Sequence, residues 1–392
     1  MKKLFIISTA AILALVACSK TETANPDPKL IGFNVANYKA QTKAYNSLLD
    51  EKAAGADIVS FTTNAWYHDG ASSYGSQTFM ADQVIKPENT TDPTYWAPEG
   101  RNYYWPKTGY VNFFSYAGSP APTAKAEGSI TYTDVAVPTN ANILVADAAY
   151  RFSSNTTNDN TIYQQNSVTK GVPTLFHHIL AKVKFDVVLD AKTGMANPDN
   201  KDKWTVSITS AYINVPQQGT IALTFTDPTT DETTASFSGS WGSLGDFNHI
   251  DNVTGTGANV ADPENYEIDD AITLTAVGGT ISVEENRSGY NTTGTPAELI
   301  PESAVIPHTL TNDITFAMTY KLAYRYNDGT PVQEFITIPE TKLTDFAPSI
   351  TAWAMNTIYT YHVIIKPNEQ VLFDPAVETW AEVESADSEL NF

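Results

Sequence analysis

The chain has 392 residues, a formal net charge of −21 and an apolar fraction of 42%, and this length suits two ordinary domains or one large all-β domain. Such an acidic chain repels nucleic-acid phosphates and anionic lipid headgroups, so nucleic acid is excluded as a partner. Threonine and asparagine are frequent and long helical periodicities are absent. That composition favours strands joined by polar loops.

The first residues have the pattern of an export signal. Lys2 and Lys3 give a basic start, and residues 4–16 form an apolar run that is too short for a comfortable membrane span. Residues 1–17 are therefore predicted to be a signal peptide. The sequence at 15–18 resembles a bacterial lipobox, which implies that lipid is attached to Cys18 and that cleavage precedes it. The alternative is an ordinary signal peptide followed by a chance cysteine.

Cys18 is the only cysteine of the chain, so neither an intramolecular disulfide nor a cysteine metal site can form. Residues 18–29 are rich in Thr, Asn and Pro, which is typical of a flexible tether. Ile31, Phe33 and Val35 then alternate with Gly and Asn, and this pattern predicts a half-buried first strand at residues 30–36.

Strand patterns dominate the rest of the chain. Apolar and polar residues alternate over 183–189, 204–209 and, most regularly, 314–326. Only residues 44–54 and 340–346 are candidates for short helices. The sequence therefore predicts an all-β fold of one or two antiparallel sandwiches.

A domain boundary is predicted near residues 170–173, because the Asn- and Thr-rich stretch before them is typical of a loop and strands resume afterwards. This places an N-terminal domain at residues 30–171 and a C-terminal domain at residues 172–392.

A search for catalytic and metal-binding patterns yields little. There is no Gly-x-Ser-x-Gly elbow, no glycine-rich phosphate loop and no His-Glu-x-x-His pair. His177 and His178 are adjacent on a predicted strand, so they face opposite sides and suit a structural role better than chelation. The acid pairs at 269–270 and 284–285 lack the spacing of a calcium loop. No enzyme activity, cofactor or metal is predicted.

Aromatic residues cluster before a strand that is itself aromatic. Trp96, Tyr103, Tyr104 and Trp105 have two interpretations, a buried core or an exposed platform on which sugars stack. The core interpretation is favoured because the aromatic strand follows directly.

Five segments form an ordered set of motifs along the chain. They are the Trp-Pro pair at 105–106 with the aromatic strand at 109–116, and the segments at 143–146, 172–183, 356–363 and 377–380. Each motif is weak alone, but their order and spacing span nearly the whole chain. Together they resemble the fimbrillin-like lipoproteins, the type V pilins of Bacteroidia.

The resemblance implies two transthyretin-like β-sandwich domains in tandem and export as a lipoprotein to the outer membrane. It also implies that a trypsin-like protease cuts just beyond the first strand and so removes Ile31, Phe33 and Val35. Lys43 is the favoured cleavage position, since Thr-Lys-Ala at 42–44 matches the family's Thr-Arg-Ala, and Lys39 is the second candidate. Lysine replaces the usual arginine, so a strictly arginine-specific protease would not cut here.

In the family, the gap left by the first strand is filled by a strand from the next subunit's C-terminal region. The matching candidate here is residues 371–383, where Pro375 suggests an edge strand or bulge. The alternative is that this stretch is simply the last strand of its own domain. The apolar residues of one phase are Val371, Phe373, Val377, Ala381 and Val383.

The resemblance thus predicts a stalk or tip subunit of a cell-surface fimbria that serves adhesion. Its expected partners are other fimbrial subunits, the outer membrane through the lipid on Cys18, a trypsin-like maturation protease, and a host protein or glycan. A surface glycan-binding lipoprotein, based on Trp96 and its aromatic neighbours, is the alternative. A hydrolase is the third class, and no sequence feature supports it beyond scattered acids.

Overall fold

The computed structural model describes residues 30–37, 60–70, 76–87, 96–153, 171–189, 205–228, 231–254, 272–275, 297–325, 331–365 and 372–379. These residues are almost entirely β-strand, which confirms the predicted all-β class. One short helix, α1 (Leu343–Phe346), lies in the candidate region 340–346, whereas the candidate at 44–54 lies outside the described residues. Across the described part of the chain, no helix is long and apolar enough to span a membrane.

Ten strands precede residue 180. They are β1 (Phe33–Asn37), β2 (Phe61–His68), β3 (Gln77–Pro87), β4 (Trp96–Pro98), β5 (Tyr110–Ser119), β6 (Ala124–Ala126), β7 (Ser129–Ala136), β8 (Asn142–Ala146), β9 (Ala148–Phe152) and β10 (Val172–His178).

Eleven further strands follow. They are β11 (Ala181–Leu189), β12 (Thr205–Phe225), β13 (Thr233–Ala235), β14 (Phe237–Ser238), β15 (Gly242–Thr254), β16 (Ile272–Thr275), β17 (Ala297–Val305), β18 (Thr315–Arg325), β19 (Pro331–Lys342), β20 (Thr357–Ile365) and β21 (Leu372–Thr379).

The largest sheet closes on itself. Its nine strands run in the order β13-β9-β5-β2-β3-β4-β1-β10-β8, and β5 also pairs with β8. Seven strands, from β5 through β1 to β8, therefore form a closed ring, which we call the ring. A closed sheet leaves no free edge among its members.

Two further sheets complete the fold. An eight-stranded sheet runs β19-β18-β12-β7-β6, with β14, β15 and β16 each paired to β12, and a four-stranded sheet runs β17-β11-β20-β21. Strands from both sides of the predicted boundary at residues 171 and 172 share sheets, because β10 lies in the ring beside β1 and β7 pairs with β12.

The expectation of purely antiparallel sheets is wrong at two places. β1 runs parallel to β10, and β11 runs parallel to β20. Alternation along a strand reports which face is buried, but it carries no information on the direction of a neighbour that comes from far along the chain. Neither parallel pair is joined by a short turn, so no local signal marks it.

Side chains inside the ring form one hydrophobic core, the ring core, to which all seven ring strands contribute. Its members are Ile31, Phe33, Phe61, Ala65, Met80, Ile85, Trp96, Tyr103, Trp105, Val111, Phe113, Ala117, Leu144, Ala146, Ala149, Phe152, Val172 and Phe176.

The outer face of β5, β8 and β9 packs on β7 and the second half of β12 and forms a middle core. Phe113 therefore points into the ring core while Phe114 points into the middle core. Packing on both faces explains why residues 111–117 are continuously buried instead of alternating between buried and exposed.

A third core, the C-terminal core, lies between the four-stranded sheet and the first half of β12 with β18. The long strand β12 thus serves two cores, with Val206 to Val215 in the C-terminal core and Ile221 to Phe225 in the middle core. At the centre of the C-terminal core, Phe185 stacks on Phe316 at 5.2 Å and on Tyr361 at 4.7 Å between ring centroids.

Replacing Phe185 by alanine should lower the free energy of unfolding by about 3–5 kcal/mol, because it leaves a cavity between two stacked rings. Urea unfolding followed by tryptophan fluorescence measures the change. Phe247→Ala is the matched control, since Phe247 is 38% exposed and its loss should cost only about 0.5 kcal/mol. Equal effects of the two variants would contradict the placement of this core.

Candidate functional site

The candidate site is the position of β1 in the ring. β1 pairs in parallel with β10 over five residue pairs, from Phe33 opposite Val172 to Asn37 opposite Phe176. On its other side it meets β4 at a single pair, Phe33 opposite Trp96. One flank of β1 is therefore paired along its length, and within the described residues the other flank is paired at Phe33.

Phe33 is the anchor of β1. Its side chain is fully buried and makes edge-to-face contacts with Phe61 at 5.5 Å and Phe113 at 5.8 Å between ring centroids. Ile31 is buried beside it, and Val35 is partly buried against the same core. The structure thus brings together the three residues predicted for the first strand and places them in the ring core.

Backbone hydrogen bonds also connect the residues just before β1 to neighbouring segments. Ile31 N donates to Tyr103 O at 2.8 Å, and Val172 N donates to Gly32 O at 2.9 Å. Leu30 forms an isolated bridge with Tyr104. The segment from Leu30 onward is therefore integrated into the fold on both sides.

The aromatic cluster before β5 is part of this site. Trp96, Tyr103 and Trp105 are buried in the ring core, and only Tyr104, at 43%, is exposed. The core interpretation of these residues is the one that the structure supports. Three of the four rings proposed as a sugar platform are not accessible.

Strand β21 contains the described part of the C-terminal candidate. It lies at the edge of the four-stranded sheet and, within the described residues, pairs only with β20. Phe373 is opposite Val363, Pro375 opposite Tyr361 and Val377 opposite Tyr359. The edge position agrees with the prediction from Pro375, since a proline lacks the N–H that an interior strand needs.

Val377 is exposed although it lies on the core-facing side of its sheet. Its partner Tyr359 is buried in the C-terminal core, and directly opposed residues of an antiparallel pair share a face. Val377 is nonetheless 55% exposed. The sandwich is therefore open at this edge.

The remaining predicted site residues lie outside the described residues. These are Cys18, the two candidate cleavage positions Lys39 and Lys43, and Val371, Ala381 and Val383 of the C-terminal candidate.

The titratable groups found near these strands have structural partners. His362 Nδ1 lies 2.5 Å from Asp186 Oδ1 across β20 and β11, a pairing that the sequence analysis missed because these residues are far apart in the chain. Burial raises the pKa of Tyr361, and Trp353 Nε1 donates to its hydroxyl at 3.0 Å. Both groups sit within packed strands and not in an open cleft.

His177 and His178 occupy opposite faces of β10, as predicted. His177 Nε2 lies 3.1 Å from Asp147 Oδ1, while His178 is buried. In the described portion of the chain, no group of three His, Cys, Asp or Glu residues is placed to hold a metal ion.

Gly171 is a site residue that sequence reasoning did not find. Its φ of +137° lies in the region that favours glycine, and a Cβ there would come within 2.9 Å of Gly32 O and Phe33 C. The close approach of its backbone to β1 therefore requires glycine. Nothing local in the sequence reveals this, because the contact is with the distant strand.

Gly171→Ala should destabilise the ring by about 1–3 kcal/mol, since it adds backbone strain and pushes against β1. Hydrogen exchange should be accelerated first at the β1 and β10 amides. Gly242→Ala is the control, because a Cβ at Gly242 meets nothing within 4 Å. If both alanine variants exchange like the wild type, Gly171 does not hold β1.

Neither a family model nor a curated protein matches the sequence. Solved structures do match. A fimbrial protein from Bacteroides vulgatus ATCC 8482 is 14% identical with a TM-score of 0.43, over 90% of this chain and 99% of that one. A chain from Bacteroides uniformis ATCC 8492, assigned as a cell adhesion protein, is 15% identical with a TM-score of 0.39, over 90% and 98%.

The tip fimbrial protein Mfa3 from Porphyromonas gingivalis is 10% identical with a TM-score of 0.34, over 84% of this chain and 96% of that one. At such low identities and TM-scores, the function proposed next rests on the residues of this chain.

Proposed function

We propose that this protein is a stalk or tip subunit of a cell-surface fimbria, which is exported as a lipoprotein through Cys18, assembles by strand exchange and serves adhesion. The observation that carries the proposal is the position of β1. A five-residue strand near the N-terminus closes the ring and buries Phe33 at its centre.

Removal of β1 would create an acceptor slot. The unpaired edge of β10 and the cavity of Phe33 would be opened together, because β1 is the only strand between β10 and β4. Burying Ile31 and Phe33 contributes about 1.5–3 kcal/mol for each side chain. A replacement strand that restores these contacts is therefore strongly favoured over an empty slot.

The proposed replacement comes from residues 371–383 of a neighbouring subunit. Its described part, β21, is an edge strand with the exposed apolar Val377. Main-chain hydrogen bonds give such an added strand its affinity, and alternate side chains set its register. In this arrangement Val371, Phe373, Val377, Ala381 and Val383 are the inward-facing residues.

Cleavage after Lys43 or Lys39 is proposed to start the exchange. Both lysines follow β1 and precede β2, so a cut at either one severs the connection between β1 and the rest of the ring. The maturation protease is then of the trypsin-like class that accepts lysine. The partners are other fimbrial subunits, the outer membrane through the lipid, and a host protein or glycan.

The transthyretin-like character of two tandem domains remains a prediction from the family resemblance. The glycan-binding alternative needs exposed aromatic side chains, but three of the four candidates are buried, namely Trp96, Tyr103 and Trp105. No separate observation in the described residues favours it.

Limited trypsin treatment of the purified full chain should remove the N-terminal segment through Lys43 and convert the monomer into a ladder of oligomers on gels. The triple variant Lys39→Gln/Lys43→Gln/Lys52→Gln, which removes every lysine between β1 and β2, should keep β1 attached and remain monomeric. Lys86→Gln is the control, because Lys86 lies in β3 and pairs with Glu99 on the surface. Clean trimming that yields only monomers would refute assembly by strand exchange.

A synthetic peptide of residues 371–383 should bind the trimmed chain and compete with a peptide of residues 30–37. Phe373→Ala in the peptide should weaken binding by about tenfold or more, as expected for the loss of about 1.5–3 kcal/mol of buried surface. Glu378→Gln lies in the other phase and should change affinity by less than about twofold. Calorimetry measures both effects. Equal affinities of the two variants would exclude Phe373 as an inward-facing residue.

A further inference from the structure

Three side chains stack across neighbouring strands on the outside of the ring. Tyr110 of β5 lies between His68 of β2, whose ring is stacked at 4.8 Å, and Arg151 of β9, whose guanidinium carbon lies 5.0 Å from the Tyr110 centroid. The three side chains follow the spatial order of their strands, β9-β5-β2. Their chain neighbours Val111 and Phe152 point into the ring core, so the stack faces outward.

Each end of the stack meets an acid in a connecting segment next to a strand of the eight-stranded sheet. Arg151 Nη2 donates to Asp227 Oδ2 at 2.6 Å, and His68 Nε2 lies 2.6 Å from Glu127 Oε1. Glu127 lies between β6 and β7, and Asp227 follows the end of β12. We call these five residues, His68, Tyr110, Arg151, Glu127 and Asp227, the clamp.

The two acids are held in place by further bonds. Phe225 N donates to Gly128 O at 2.9 Å, which sets the end of β12 beside the β6–β7 turn. Asn112 Nδ2 donates to Glu127 at 2.8 Å, and Asn112 Oδ1 accepts from Arg151 N at 2.8 Å. Partial burial opposes ionisation of Glu127, but hydrogen bonds from His68, Ser76 and Asn112 outweigh it and lower its pKa.

Arg151 has a backbone conformation that is unusual for a residue with a side chain. Its φ is +63°, in the left-handed region that favours glycine. Such a conformation is unfavourable for a residue with a side chain and persists only where surrounding contacts enforce it. The ion pair with Asp227, the contact with Tyr110 and the bond to Asn112 supply those contacts.

The clamp is as far from β1 as the ring allows. β1 has β4 and β10 as neighbours, whereas β2 and β5 are the two ring strands furthest from it in order. None of the five clamp residues belongs to the ring core, which β1 closes. The clamp instead borders the middle core, where Tyr150 OH also donates to Phe225 O at 2.9 Å.

We infer that the clamp is a conformational device that keeps the eight-stranded sheet fastened to the ring while β1 is absent. The inference rests on the proposed function, since it concerns the state of the chain between release and replacement of β1. With the clamp closed, loss of β1 opens the ring core only, and β7 and β12 stay packed on the middle core.

Hydrogen exchange on the full chain tests the inference. Phe33→Ala loosens β1, and it should accelerate exchange at the β4 and β10 amides by about tenfold while β7 and residues 218–225 of β12 keep wild-type protection. Adding Arg151→Gln should extend this acceleration to β7 and β12. Glu127→Gln should act in the same way from the other end of the clamp.

Two controls separate the clamp from general weakening. Glu99→Gln removes a surface ion pair with Lys86 that does not involve the eight-stranded sheet. In the Phe33→Ala background it should therefore leave the amides of β7 and β12 protected from exchange. Phe33→Leu replaces Phe33→Ala if the alanine variant does not fold.

Three outcomes decide between the ideas. If Phe33→Ala alone deprotects β7 and β12, or if the double variant leaves them protected, the clamp does not have this role. If Phe33→Ala leaves β10 fully protected, the proposed release of β1 fails instead. The clamp is then tested with the single variant Arg151→Gln, which should accelerate hydrogen exchange at β7 and β12. If exchange at these strands is unchanged, the inference about the clamp is also wrong.

Discussion

Closure of the ring by β1 is the constraint on which the rest of the structure depends. A sheet of seven strands has no free edge only while every member is present. β1 contributes only five residues, and β10 pairs with them along one flank. Phe33 contributes both the single pair with β4 and the central aromatic contacts of the ring core. One side chain therefore links main-chain closure to side-chain packing.

The sheets are fastened together by two strands that each contribute to two cores. β5 contributes Phe113 to the ring core and Phe114 to the middle core, and β12 contributes to the middle and C-terminal cores. Each of the two strands therefore connects two neighbouring cores by continuous backbone. The clamp adds a polar connection between the ring and the end of β12, next to the apolar contact of Phe114 with Phe225 in the middle core.

Much of the architecture could be predicted from local patterns. The alternation of Ile31, Phe33 and Val35 indicated the first strand, and Pro375 indicated an edge, because both signals are properties of a few consecutive residues. The parallel pairing of β1 with β10 could not be predicted, since the direction of the pair is decided by a partner strand that lies far along the chain. The roles of Gly171 and of the clamp residues could not be predicted for the same reason, because their partners come close only after folding.

The slot and the exposed edge of β21 belong to different sheets of one chain. A contact between such unlike surfaces joins subunits head to tail, so a row joined this way stays open unless the rotation between subunits closes it into a ring. One end of an open row presents an unfilled slot and the other an unused edge strand. Growth and termination are then chemically different events at the two ends, and a capping protein needs only one of the two surfaces.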